Sequence, residues 1–519
     1  MSARLLIVVS RSSARRQWFS VAALAGLAVA GTSFAQSATP APEAPVATLP
    51  ASGAGNAATA SPTDAYTSFR TEFDAGRYAE AVPHAERVLQ LAEAQAATPT
   101  AEDVQVALMN LGTVQHLAED YVGAEATYLR AIKLIESSGR PLHERLARAY
   151  AGLAAAYHDG NRHDLAVKSF EQAIALKRRH EGLLTTRQVS LVQKYIDSLT
   201  ELGRYQDALQ AQKYLLRIAT REYGSTSVKL APTLEDIGRW YASIGAYDQS
   251  RRTLKQAIEI VEAAEGPSSP RLVGPLLALG TCNRLQLLDP AAQPLATPDE
   301  ERASMFQNSA AMVPSGYSPG MMATEGERAL LRAADITDQA AQPAPAQVLN
   351  VRTQLGDWYQ LRNQPERARP HYQQAWRAAA QLTEKLNGKS YTEVIFGKPV
   401  LLHVIRPDRW NRYAERPPTE VEVRNVLVEF TVETQGRADA LEVLDDSGDA
   451  KRGEKTAWSV KSTARYRPRF ENGEPVATPG VQFNQPWILL LPPPAAKPAD
   501  PSTQPPGEKT WRSSAQVRK

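Results

Sequence analysis

The 519-residue chain has a single cysteine, few histidines and almost no excess of charge of either sign. Cys282 alone cannot form an intramolecular disulfide, nor a zinc site built on several thiolates. The 59 Lys and Arg residues nearly balance the 56 Asp and Glu residues, so the net charge is only +3. A basic excess of the kind that nucleic-acid-binding proteins carry is therefore missing, and we expect no nucleic-acid partner.

Motifs for catalysis and cofactor binding are missing as well. Residues 448–456 are similar to a phosphate-binding loop, but Glu454 stands between the glycine and the lysine, where a carboxylate would repel phosphate. The pattern Gly-x-Ser-x-Gly occurs at residues 316–320, but in a Pro-rich stretch and not on the strand-to-helix turn that a nucleophile elbow requires. His158 and His163 have no evident third metal ligand and are expected to be packing or surface residues. The sequence predicts a protein that is not an enzyme and binds neither cofactor nor metal.

The first 35 residues combine a basic start, a short apolar stretch and a small-residue cleavage site. Four arginines and no acidic residue precede the apolar residues 21–30, and Ser33-Phe34-Ala35 follows. This order is typical of a signal peptide, here cleaved after Ala35, so we expect an exported protein. The alternative is an uncleaved anchor, although the stretch is short for a spanning helix of about 20 residues. The arginine pair at 15–16 leaves both the general and the twin-arginine export routes open.

Proline is concentrated in three stretches of the chain. Residues 36–63 and 492–519 are rich in Ala, Pro, Ser and Thr and bury too little apolar surface to fold, so they are predicted to be a disordered linker and a disordered tail. The third stretch, at about residues 284–326, contains proline and methionine and is predicted to be a loop inserted into a folded region. Two folded regions remain, over residues 64–388 and 392–491.

The first folded region repeats a pattern every 42 residues. An apolar residue followed by a small one occurs at Leu111-Gly112, Leu153-Ala154, Ile237-Gly238 and Leu279-Gly280, with Tyr195 at the intervening step. Apolar residues at i, i+3, i+4 and i+7 predict amphipathic helices, and the small residues allow two such helices to pack closely. Each copy is therefore predicted to be a helical hairpin.

The order Leu-Gly-x2-Tyr, then Ala-x3-Phe or Tyr, then Ala resembles the tetratricopeptide repeat, in the long form found in kinesin light chains. The resemblance implies an all-α solenoid of six or seven copies whose first helices line a concave face. The repeat frame places seven polar residues there: His116, Arg148, Gln193, Asp197, Glu235, Arg239 and Asp357. Their mixed charges predict a protein or peptide ligand that carries both signs of charge. The alternative is that these are solvated helix faces with no ligand.

After about residue 391 the pattern changes from helical to alternating. Residues 392–396 and 400–405 flank a Gly-Lys-Pro turn and predict a hairpin. Strands at 426–432 and 441–444, a helix at 452–464 and a last strand ending at residue 491 are predicted to follow. This order of elements predicts a small α+β domain of one sheet and one helix.

Residues 420–491 resemble the TonB carboxy-terminal domain. The resemblance rests on strand 426–432 with Gly436-Arg437 after it, and above all on Ala-Arg-Tyr-Arg-Pro-Arg-Phe at 464–470 followed by Gly-Glu-Pro-Val at 473–476. It implies a periplasmic domain whose final strand accepts an extended peptide by edge pairing. The residues expected at that edge are Val481, Phe483 and Trp487, and outer-membrane receptors are candidate partners.

Together these features predict an exported, periplasmic scaffold of the Gram-negative envelope, which binds one partner on the concave face and another at the last strand. The alternative is a membrane-anchored, TonB-like transducer that energises outer-membrane transport. A true TonB keeps a membrane helix with a histidine in it and has a long Pro-rich segment, whereas this chain has no histidine before His84. Contact with a membrane is expected only if the amino-terminal segment stays uncleaved.

Overall fold

The computed structural model describes most of the chain between residues 62 and 490. The expected signal peptide, nearly all of the first linker, the tail and the centre of the expected insertion lie outside the described residues. Within the described ranges, no helix is both long and apolar enough to cross a bilayer. The described ranges are 62–95, 102–137, 144–288, 319–386, 388–406 and 421–490.

In the described part of the first region, fourteen helices form seven antiparallel pairs, in agreement with the predicted solenoid. The first helix of each pair is called its A helix and the second its B helix. The A and B helices alternate along the chain, as α1 (Pro62–Asp74), α2 (Tyr78–Gln95), α3 (Glu102–Leu117), α4 (Tyr121–Ser137), α5 (Glu144–Asp159), α6 (His163–Glu181), α7 (Val189–Glu201), α8 (Tyr205–Tyr223), α9 (Ala231–Ser243), α10 (Tyr247–Glu265), α11 (Val273–Leu288), α12 (Pro319–Gln339), α13 (Pro345–Leu361) and α14 (Pro365–Ala380).

The 42-residue period is visible in the backbone of the turns. Between the A and B helices, Glu119, Asn161, Gly203 and Gly245 all have a left-handed φ, of 63°, 58°, 72° and 83°. Glycine and asparagine adopt this conformation at the lowest cost, which explains why the helix stops there in three of these four copies. A second series of glycines, 42 residues apart, ends the B helices at Gly182, Gly224 and Gly266.

Where the small residue of a copy is glycine, it lies against a large residue of the B helix. A Cβ atom added to Gly112 would lie 3.0 Å from the Tyr128 ring, and one added to Gly356 would lie 2.3 Å from the Tyr372 ring. Gly280 faces Leu330 in the same manner, although the partner is fifty residues away instead of sixteen. The helix pair α11–α12 is therefore one repeat with an insertion between its two helices.

The insertion is shorter than predicted. Residues 284–288 belong to α11 and residues 319–326 belong to α12, so both ends of the expected loop are helical. These ends stay helical because they carry apolar side chains that pack on neighbouring helices, among them Leu285 and Met322. Residues 327–336 are helical as well, as part of α12.

Residues 392–396 form a helix instead of the predicted strand. Helix α15 (Tyr391–Phe396) is capped by Ser390, whose Oγ accepts a hydrogen bond from the amide of Glu393. Ile395 and Phe396 are buried, and the helix packs against α14. This burial outweighs the strand propensity of the Val-Ile-Phe run, and β1 (Val400–His403) pairs instead with β4 (Arg465–Arg467).

The rest of the carboxy-terminal domain has the predicted order of strand, strand, helix and strand. Its antiparallel sheet places β2 (Val421–Val432) between β3 (Ala438–Asp445) and β7 (Thr478–Leu490), so β7 is an edge strand of the described sheet. Alternate residues of β2, from Val426 to Val432, are buried on the face that α16 covers. The other elements are α16 (Ala450–Thr463), β5 (Arg469–Glu471) and β6 (Glu474–Val476).

Candidate protein-binding site

Successive A helices contact one another along one side of the solenoid. Helix α3 touches α5, α5 touches α7, α9 touches α11, and α11 touches α13 across the insertion. Since the inner helices of a curved stack approach each other most closely, these contacts place the A helices on the concave face. Six of the seven predicted residues lie on A helices α3 to α9, and Asp357 lies on α13.

Part of the concave face is used to join one repeat to the next. His116 is 9 % exposed, and its Nε2 lies 2.7 Å from Oδ2 of Asp159 in the following A helix. Burial opposes ionisation of Asp159, but its hydrogen bond with His116 and the charge of Lys194 hold the pKa of Asp159 at about 2. His116 therefore bonds to its own chain, whereas the sequence predicted that it would be available to a partner. Equivalent bonds join His158 to Ser198, Trp240 to Thr200, and Thr281 to Gln354.

Two carboxylates at the centre of this face have no such partner. Asp197 of α7 is exposed and Asp236 of α9 is partly exposed, and neither forms a hydrogen bond within the part of the chain that the structure describes. Loss of hydration raises the pKa of both groups to about 6. Glu201 adds repulsion at Asp197, and Glu235 and Asp197 add repulsion at Asp236. The two carboxylates are thus close enough to sense each other's charge.

The cations near these two carboxylates are bonded to other groups. Lys194 Nζ lies 3.1 Å from Asp159 Oδ2. Arg239 Nη2 donates to Glu235 Oε1 at 2.6 Å and to the carbonyl of Gly274 at 3.4 Å. The structure therefore joins the predicted residues Glu235 and Arg239 to each other.

Two of the predicted residues contribute little to this arrangement, and one important residue was missed. Arg148 and Gln193 are partly buried and form no hydrogen bond with the other predicted residues, as far as the described ranges extend. Asp236 was missed, although it is 42 residues after Lys194 and one turn before Arg239. Extending the repeat frame by this one position would have found it.

Asp357 does not face an open groove, which corrects the prediction. It is 4 % exposed and receives two hydrogen bonds from Arg467, from Nε at 3.0 Å and from Nη2 at 2.8 Å. Tyr372 of α14 donates a third, at 2.9 Å. The position predicted to bind a partner thus binds the carboxy-terminal domain of the same chain.

The segment that carries the TonB resemblance lies at this junction. Arg467 also donates to the carbonyl of Ile395 at 3.2 Å, and the Phe470 ring centroid lies 5.3 Å from that of Phe396. Gln360 of α13 donates to the carbonyl of Gln435 at 2.6 Å. The last repeat and the carboxy-terminal sheet therefore share one buried interface.

The residues predicted for edge pairing lie on the edge strand, but their side chains are used elsewhere. Phe483 and Trp487 are 7 % and 6 % exposed and pack with Val481 in the core under α16. An added strand would contact backbone groups of β7, not these side chains. Pro486 lies in β7 and lacks an N–H. Since proline is tolerated in a paired strand only where its nitrogen faces away from the partner strand, the missing donor belongs to the outer edge of β7.

A model of the tetratricopeptide repeat family matches residues 103–179 and 188–293. These ranges cover the helices from α3 to α11, which are therefore tetratricopeptide repeats. Human Tetratricopeptide repeat protein 23 is 24 % identical over 132 residues, a match that covers 25 % of this chain and 29 % of that protein. The chain thus matches less than a third of that relative's length.

Two solved structures are similar to part of this chain. One is a kinesin light chain of Podosopora anserina with nearly identical TPR-like repeats, at 15 % identity, with a TM-score of 0.36 and coverage of 40 % of this chain and 99 % of that chain. The other is BtubC (BKLC) of P. vanneervenii, at 16 % identity, with a TM-score of 0.33 and coverage of 52 % and 90 %.

Proposed function

We propose that this chain, which carries tetratricopeptide repeats, is an exported scaffold that holds a segment of another protein on its concave face. Repeats of this kind typically bind proteins and do not catalyse reactions. The observation that supports the site is the pair of carboxylates without hydrogen-bond partners, Asp197 and Asp236, whose pKa values are raised to about 6. Neighbouring carboxylates with raised pKa values and no hydrogen-bond partner are a common feature of ligand-binding sites.

The chemistry of the pair indicates which part of a partner would bind there. A lysine or arginine side chain placed between Asp197 and Asp236 would relieve their repulsion and restore charge-assisted hydrogen bonds. Arg239 and Lys194 are bonded to Glu235 and Asp159, so the two aspartates are the groups left for the partner. The partner is therefore a peptide or protein segment with a basic residue at its centre.

Site-specific crosslinking tests this proposal in envelope extract. A photo-crosslinking amino acid at position 239, on the concave face, is expected to capture a discrete protein, and the Asp197→Asn/Asp236→Asn variant is expected to lose most of that product. The matched control places the same amino acid at Lys213, which is exposed on the B helix α8. Capture of the same protein from both positions, or capture unaffected by the two substitutions, would reject the concave site.

The carboxy-terminal domain is proposed to be a TonB-like docking domain for a second partner. The support is its strand-strand-helix-strand order and the position of β7 at the edge of the described sheet. Its contact with the last repeat, through Arg467 and Asp357, would fix the distance between the two docking sites.

Periplasmic location rests on the features of the first 35 residues. Fractionation of cells that express the full chain separates this proposal from its alternative, a membrane-anchored transducer. A soluble periplasmic species that begins at Gln36 supports the scaffold. An intact amino terminus in the inner membrane supports the transducer.

A further inference from the structure

A cavity of about 350 Å³ lies between the B helices α6 and α8, away from the concave face. Its apolar wall is formed by Ile174 of α6, Val192 of α7 and Ala211 of α8. Val192 lies on a different side of α7 from Asp197, so the cavity and the concave site are separate surfaces.

Two arginines meet at a tyrosine ring in this cavity. The guanidinium carbon of Arg178 lies 4.1 Å from the centroid of the Tyr214 ring, and that of Arg217 lies 5.9 Å from it. The hydroxyl of Tyr214 is hydrogen-bonded to Gln188 and to the carbonyl of Leu183, which holds the ring in place. The ring therefore positions two cations, one from each B helix.

Neither guanidinium is neutralised by the protein itself. In the described ranges Arg178 and Arg217 form no ion pair, and Nε of Arg178 is buried without an acceptor. The cavity's carboxylates are bonded to other groups, since Glu171 accepts from Tyr195 at 3.1 Å and Asp207 accepts from Arg204 at 2.7 Å. Donors for an anion thus remain at one end of the cavity.

The repeat supplies an internal control for this cluster. If the fold needed two arginines and a tyrosine at these positions, other copies would carry them 42 residues before or after. They do not, because the equivalent residues are Glu136 and Thr220 for Arg178, Ala175 and Glu259 for Arg217, and Gln172 and Gln256 for Tyr214. The cluster is a feature of this one repeat, and repeat packing does not account for it.

We infer that this cavity binds a carboxylate side chain of an acidic protein segment. The two guanidinium groups would donate to the carboxylate in the forked geometry that arginine favours. The methylene groups of a glutamate would pack on Ile174, Val192 and Ala211. The cavity is thus a second, convex binding surface that prefers acidic groups, whereas the concave face prefers basic ones. Binding at the cavity does not require binding at the concave face.

Fluorescence anisotropy with labelled peptides tests the inference on the full chain. A capped tetraglutamate peptide is expected to bind, and a capped tetraglutamine peptide of the same length is not. The Arg178→Gln/Arg217→Gln variant should bind tetraglutamate at least about tenfold more weakly, and Arg221→Gln, an exposed arginine on the same helix α8, should change affinity less than about twofold.

Two further variants keep the test decisive. Arg178→Lys/Arg217→Lys retains both charges but not the forked donors, so it should restore only part of the affinity, and it serves as the folded reference if the glutamine variant fails to fold. Asp197→Asn/Asp236→Asn should bind tetraglutamate normally, which separates this site from the concave one. Equal binding by the wild type and the glutamine variant, or no binding of tetraglutamate by the wild type, would overturn the inference.

Discussion

Arg467 and Asp357 form a buried ion pair with two hydrogen bonds between residues 110 positions apart. Arg467 lies on β4 of the carboxy-terminal domain and is fully buried, and Asp357 lies on the last A helix, α13. Burial by itself would lower the pKa of Arg467, but the charge of Asp357 and its hydrogen bonds raise it, so the guanidinium stays ionised. The pair therefore holds the carboxy-terminal domain against the last repeat of the solenoid.

Breaking this pair from one side should be costly. Arg467→Met removes the nearer counter-charge of the buried Asp357 carboxylate and leaves only Arg284, whose Nη1 lies 3.8 Å from Oδ2. We expect a loss of about 3 kcal/mol in the free energy of unfolding. Urea denaturation of the full chain measures this loss. The double variant Arg467→Met/Asp357→Leu should recover only part of it, because Arg284 then loses its own buried counter-charge.

An exposed ion pair across the same junction provides the control. Arg369 and Glu474 are about half exposed and 2.6 Å apart, so Arg369→Gln should cost less than about 1 kcal/mol. If Arg467→Met cost no more than Arg369→Gln, the buried pair would not hold the two domains together.

The glycine of the last repeat should tolerate no side chain. In Gly356→Ala the new Cβ would lie 2.3 Å from the Tyr372 ring, which is itself held by its hydrogen bond to Asp357. We expect a loss of about 1–3 kcal/mol from overpacking, measured by urea denaturation. In Gly238→Ala the Cβ would meet the flexible side chain of Leu254 instead, so the loss should be smaller. An equal or smaller loss for Gly356→Ala would show that the Tyr372 ring is free to move.

The helical part of the fold could be predicted because its determinants are local and repeated. The helix pairs are predicted by the spacing of Leu111, Leu153 and Ile237, and their turns by the glycines at 203 and 245. Periodicity of this kind can be recognised in the sequence without any knowledge of long-range contacts. The short helix α15 was predicted as a strand because local propensity favours a strand there, whereas its burial against α14 depends on the folded chain.

The candidate site could be predicted only in part, for the same reason. The repeat frame placed Asp197, Glu235 and Arg239 on one face, but it could not show that His116 bonds to Asp159 or that Asp357 bonds to Arg467. Both bonds join residues that are far apart in sequence and belong to different elements. Which polar residues remain available to a partner is therefore decided by tertiary packing and not by the repeat pattern.

The central carboxylates should make stability depend on pH. Their pKa is about 6 in the folded chain, against about 3.9 for an ordinary aspartate. The folded state therefore holds more protons than the unfolded state between about pH 4 and pH 6, and it loses stability as the pH rises through that window. Asp236→Asn removes the ionised form, so it should stabilise the protein at pH 8, by about 1 kcal/mol after solvent screening, and have little effect at pH 4.

Thermal denaturation at both pH values measures this difference. Asp207→Asn is the control, since Asp207 is exposed and paired with Arg204, and its loss should not stabilise the chain at pH 8. A stability gain for Asp236→Asn that was the same at pH 4 and pH 8 would contradict the raised pKa.

The edge strand should depend on its buried aromatic residues for folding. Phe483→Ala removes a side chain that packs in the core under α16, and we expect a loss of about 3–5 kcal/mol in the free energy of unfolding. The neighbouring Gln482 is exposed, so Gln482→Ala should change stability by less than about 1 kcal/mol. Denaturant unfolding of the two variants makes the comparison. If Phe483→Ala were as stable as Gln482→Ala, the side chain of Phe483 would lie on the solvent face of the sheet, and the register of β7 on β2 would have to be shifted by one residue.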